Sequence, residues 1–104
     1  MKVKETFINE TKGYQYGDSG WYEPHTEHIG RLFRSLQREY GRCTGKVHID
    51  TQSGTKPVGW VFEKRMQYED ARSNRPQDYY IRQVWVQVAE DGATSDEPVY
   101  QSEL

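Results

Sequence analysis

Residues 17–20 read Gly-Asp-Ser-Gly, the local pattern that surrounds a nucleophilic serine. Such a serine needs a histidine base within reach, a carboxylate behind it and backbone N–H groups shaped into an oxyanion hole. A chain of 104 residues offers little scaffold for all three, and Asp-Ser-Gly is ordinary turn chemistry. The expectation is a turn, and a protein that is not an enzyme. His25 and His28 fall one helical turn apart in HTEH, and Cys43 and His48 follow in CTGKVH. These four are the weak candidates for a metal, as a zinc set of three His and one Cys. That ligand set is unusual, and His48 alternates away from Val47 and Ile49. Surface histidines and a small, half-buried Cys43 are expected instead, with no metal and no cofactor. No Gly-rich phosphate loop matches a strand-turn-helix context, so nucleotide binding has no support.

Binding chemistry is better supplied. Arg31, Arg34, Arg38 and Arg42 recur at i, i+3, i+7 and i+11, with Lys46 as an extension. Such a row suits phosphates or an acidic partner, although Glu27 and Glu39 dilute it. Tyr79, Ile81 and Trp85 fall on one side of a strand pattern, with Val61 as a neighbour. Tyr and Trp dominate binding hot spots.

The elements that must position these residues follow from periodicity. Ile29, Leu32, Phe33, Leu36 and Tyr40 recur at helical spacing, Pro24 suits a first helical turn, and Gly41 is a natural stop. The spacing predicts one amphipathic helix over 24–41. Residues 2–8 alternate loosely as an edge strand, with Val3 and Phe7 on one side. Residues 46–51 place Val47 and Ile49 on one face. Residues 58–68 place Val58, Trp60, Phe62, Met66 and Tyr68 together, broken by Lys64. Residues 79–88 place Tyr80, Val84, Val86 and Val88 on one face and Tyr79, Ile81 and Trp85 on the other. The order β-α-β-β-β describes a two-layer α+β fold, an antiparallel sheet with one helix packed on one face. One helix covers one face only. The aromatic stretch Tyr14–Tyr22 either folds over the other, or that face meets a partner or a second copy as a homodimer.

Composition agrees with one small domain. The hydrophobic share is 34%, aromatics are 13% and mean hydropathy is -1.05, which together fit an aromatic core with polar appendages. Residues 89–104 hold five acids and no Lys or Arg, leaving 14 basic against 11 acidic residues before them. The expected organisation is a domain over 1–88 and an acidic, flexible tail over 89–104. That tail is either solubilising or a competitor for the basic surface. A single cysteine excludes an internal disulfide and points to a cytoplasm. No run of about 18 apolar residues suggests a membrane span, and MKVKETFINE lacks a secretory apolar stretch.

The segment 58–88 carries Gly59, Trp60, Val61, Phe62, Lys64, Arg65, Tyr68 and Asp70, then Tyr80, Arg82, Trp85 and Val86. In this pattern it resembles a hairpin of small proteins of unknown function encoded by actinobacterial phages. The resemblance implies a protein of the bacterial host cytoplasm that regulates or modifies a host component, and it supplies no catalytic residue. It also draws attention to Lys64, which breaks the apolar face, and to Arg65 and Arg82, which either meet across the hairpin or, as is preferred, form structural salt bridges with Glu63 or Glu69. The expected function is therefore non-enzymatic binding of a host protein through Tyr79, Ile81, Trp85 and Val61. The alternative is a nucleic-acid-binding regulator using Arg31, Arg34, Arg38 and Lys46.

Overall fold

The structure is a computed structural model that describes residues 1–68, 79–90, 92 and 99–103. In chain order its elements are β1 (Lys2–Asn9), β2 (Tyr14–Asp18), α1 (Ile29–Tyr40), β3 (Arg42–Thr51), β4 (Gly54–Gln67), β5 (Tyr79–Ala89) and β6 (Val99–Glu103). All six strands form one antiparallel sheet in the order β2-β1-β5-β4-β3-β6, and α1 lies on one face. The α+β character and the β3-β4-β5 meander match expectation; β2 and β6 are additions to it.

β2 forms because the chain reverses tightly after β1. Asn9 accepts the Lys12 N–H on its side chain at 3.0 Å and the Gly13 N–H on its carbonyl at 2.8 Å. Gly13, at φ 74°, completes the turn. The chain then pairs back onto β1, Tyr14 opposite Asn9 and Gln15 opposite Ile8, with Tyr16, another good strand former, at the register shift before Gly17. The aromatic stretch is thus an edge strand and a connector, not a cover over the far face. At the other end, β6 pairs with residues 45–49 of β3. Part of the segment expected to be a flexible tail therefore belongs to the sheet. Asp91, Asp96 and Glu97, on which the idea of a competing acidic peptide rests, lie outside the described residues.

The helix ends where Gly41 was expected to stop it, but starts at Ile29 and not at Pro24. The cause lies upstream. Tyr22 and Val3 exchange two backbone hydrogen bonds of 2.9 Å, holding the chain extended against β1. Lys2 pairs with Glu23 at 3.4 Å and the N-terminus with Glu27 at 3.8 Å, so the connector stays along that strand. The Thr26 hydroxyl accepts the His28 N–H, and His28 remains extended at φ -91°, ψ 112°.

The core is the layer between α1 and the sheet. Leu32 and Leu36 meet Val3, Phe62, Val84 and Val86, with Phe33, Tyr40, Trp60 and Val88 around them. Register explains the set: Val3, Glu5 and Phe7 lie opposite Val88, Val86 and Val84, which lie opposite Trp60 and Phe62 where β4 follows. Val61 lies opposite Trp85, Arg65 opposite Ile81 and Gln67 opposite Tyr79, all on the far face. Gly59 permits the β4–β5 approach, since a Cβ there would fall on the Val86 carbonyl oxygen. No helix among the described residues is long and apolar enough to cross a membrane.

Candidate functional site

A cleft of about 530 Å³ opens at the N-terminal end of α1, against the ends of β3, β4 and β5. Trp21 enters it because the Val3–Tyr22 bridge fixes the connector beside β1. Ile29, the first residue of α1, contributes a side chain that is 39% exposed. Trp60 comes from β4, where it stands opposite Lys46 of β3. A register shift between Val47 and His48 skips Val58, and a skipped residue of this kind raises the local twist of the hairpin. Ile49, Lys56, Pro57 and Val58 line the same cleft beyond that shift. Lys46 and Lys56 are both exposed, and neither has a carboxylate partner among the described residues. Among the described residues Glu90 is the one carboxylate on the wall, beside Gln87, Val88 and Ala89. The cleft thus offers indole rings, aliphatic side chains and two exposed ammonium groups to one occupant. Its size falls within the range of small-ligand sites.

The residues expected to bind a partner share one face but do not form an open patch. Val61 is fully buried, Ile81 and Trp85 are half-buried, and Tyr79 is 37% exposed. The Arg65 guanidinium covers the Tyr79 ring at 3.5 Å. The Trp85 indole donates to Gln83 Oε1 at 3.1 Å, and Gln83 Nε2 donates to Glu63 Oε1 at 2.7 Å. These contacts tie the far face together along β4 and β5. Arg65 and Arg82 do not meet across the hairpin, because Arg82 stands opposite Lys64 on the helix side.

The basic row divides as well. Arg31, Arg34 and Arg38 are exposed on α1, but the helix ends before Arg42, which lies in β3 opposite Glu63. Lys46 belongs to the cleft. The metal candidates do not gather: among the described residues no three His, Cys, Asp or Glu side chains are grouped to hold an ion. His25 and His28 are exposed in the connector. The Cys43 thiol packs on the core and donates to the Gly45 carbonyl at 3.3 Å. Both ring nitrogens of His48 are buried without a hydrogen-bond partner among the described residues.

Ser19 sits in a turn. Its hydroxyl accepts the Glu5 N–H at 2.9 Å and donates to the Gly20 carbonyl at 2.7 Å, while Asp18 accepts the Gly20 N–H at 2.8 Å. The turn supports a buried carboxylate. Glu5 is 6% exposed on the helix side of β1, and the Tyr22 and Tyr40 hydroxyls each donate to one of its oxygens. Burial, and then the hydrogen bond to Glu5, push both phenols well above the usual tyrosine value.

Sequence reasoning missed the cleft. Trp60 reads as core, Lys56 as part of a turn, and Trp21 as part of a loop; no local spacing joins the three. No family model, no curated protein and no solved structure matches the chain.

Proposed function

We propose that the chain is a non-enzymatic binding protein whose cleft takes an acidic segment of a partner protein, anchored by an apolar side chain. One observation carries this: Lys46 and Lys56, free of carboxylate partners among the described residues, share a concave space with Trp21, Trp60 and Ile29. Indole and aliphatic walls reward a buried apolar anchor. The two ammonium groups reward carboxylates beside that anchor and steer its approach. The resemblance of the 58–88 hairpin to proteins of actinobacterial phages makes a bacterial protein the proposed partner. Cleft binding replaces the far face as the main site because Arg65, Gln83 and Glu63 already occupy the chemistry of that face.

Fluorescence polarisation with labelled aromatic peptides, matched except for acidic or basic flanks, tests the reading. Acidic peptides should bind and the Lys46→Glu/Lys56→Glu variant should weaken them about tenfold or more, as expected for two close charge pairs. Arg38→Glu, in the last turn of α1, and Tyr79→Ser, on the far face, lie outside the cleft lining and should leave binding unchanged. Equal binding of acidic and basic peptides, or loss on Tyr79→Ser alone, would overturn it.

A further inference from the structure

We infer that the tyrosine face beyond the C-terminal end of α1 binds single-stranded nucleic acid, as a second surface independent of the cleft. α1 has 12 residues, about 18 Å of helix, and leaves part of its side of the six-stranded sheet uncovered. Rings from neighbouring strands fill that area. Tyr16 of β2 stacks on Phe7 of β1 at 6.1 Å, and Tyr14 meets Tyr16 at 6.4 Å. Tyr80 of β5 lies 5.0 Å from Tyr68, which follows β4, and Tyr16 contacts Tyr80. These rings are not sealed into the core: Tyr14 is 50% and Tyr16 47% exposed.

Cations stand among the rings. Lys12 Nζ lies 5.0 Å from the centre of the Tyr68 ring, and the Arg82 guanidinium 5.3 Å from that of Tyr40. Lys64, opposite Arg82 in register, is exposed. Among the described residues Arg82 Nε is buried with no partner, and its Nη2 meets the Glu39 carbonyl at 3.4 Å. None of the three cations has a carboxylate partner among the described residues. Of the neighbouring carboxylates, Glu5 is directed inward to Tyr22 and Tyr40, and Glu39, exposed at the end of α1, makes no ion pair among the described residues.

A sheet face that alternates exposed π-surfaces with unneutralised cations complements a chain that alternates bases with phosphates. A single strand can splay its bases onto the rings and lay its phosphates against Lys12, Lys64 and Arg82. A duplex offers this surface only phosphates, and an acidic peptide engages the cations but not the rings. The occupant that uses both parts is a single strand. The basic helix face made of Arg31, Arg34 and Arg38 lacks such rings and plays no part.

Fluorescence anisotropy of a labelled dodecamer of thymidine or uridine, titrated with the full chain at low salt, tests the inference. The single strand should bind more tightly than a duplex of equal length, and affinity should fall steeply with added salt. Tyr14→Ala and Tyr16→Ala, both at exposed positions, should each weaken binding about tenfold, with Tyr16→Phe restoring it. Lys64→Gln should lower the salt slope by about one phosphate. The cleft variant Lys46→Glu/Lys56→Glu should bind the oligomer like wild type, which separates this surface from the acidic-peptide site. No signal at low salt, duplex binding as tight as single-strand binding, or wild-type affinity in a folded Tyr14→Ala/Tyr16→Ala variant would each overturn it.

Discussion

Glu5 shows how a single side chain can be held at odds with its surroundings. A carboxylate in a layer of Val, Leu and Phe is costly unless its oxygens are satisfied. Here two phenols from distant segments satisfy them, one oxygen each. Because the fold raises both phenol pKa values, the folded chain keeps protons that the unfolded chain releases above the usual value of 10.0. This contribution to stability is therefore constant below that pH and is lost as pH rises beyond it. Urea midpoints measured from pH 8 to pH 11.5 should fall in the alkaline limb, and Tyr40→Phe should shallow that fall. An identical limb in wild type and variant would exclude the linkage. That Glu5 points inward is legible from the alternation Val3-Glu5-Phe7. Its partners are not, because they lie 17 and 35 residues away.

Among the elements, α1 shows what local pattern decides and where tertiary contact overrides it. The stripe Leu32, Phe33, Leu36 and Tyr40 and the stop at Gly41 are set by periodicity and by a glycine at φ 109°. The start is not, because pairing of Tyr22 with Val3 outweighs the preference of Pro24 for a first helical turn. The β4–β5 pair depends on a different local property, the missing Cβ of Gly59. Gly59→Ala should force the strands apart at Val86, in the core, with a loss above about 3 kcal/mol or no cooperative unfolding at all. Gly17→Ala has open space around it and should stay within about 0.5 kcal/mol of wild type in the same denaturant titration. The alternating faces of β4 and β5 are legible for the same reason as the stripe of α1. What the far face lacks is openness, because Arg65 and Gln83 read as ordinary exposed polar residues until Tyr79 and Glu63 are placed beside them.

At the scale of the molecule, β5 is the hinge of the topology: it joins β1, from the start of the chain, to β4. A chain stopped at residue 78 loses both ladders, so it should show neither cooperative urea unfolding nor dispersed amide resonances. The complete chain, dominated by pairings between distant segments, should fold in milliseconds to seconds by stopped-flow fluorescence of its tryptophans. The same topology explains why the cleft is illegible in sequence. Trp21, Lys46, Lys56 and Glu90 lie on four separate segments and meet only after the sheet has closed. The tyrosine face is half legible: an aromatic share of 13% announces surplus rings, but only the folding of β2 onto β1 gathers Tyr14 and Tyr16 with Phe7. The sheet order has a further effect at its rims. The longer strands β1, β3, β4 and β5 are all interior, and both edges are strands of five residues, β2 and β6. Among the described residues each rim offers about 17 Å of unpaired ladder, a short template for another extended chain. The arrangement restrains copies from joining edge to edge into fibrils, even though most of the described residues are strand.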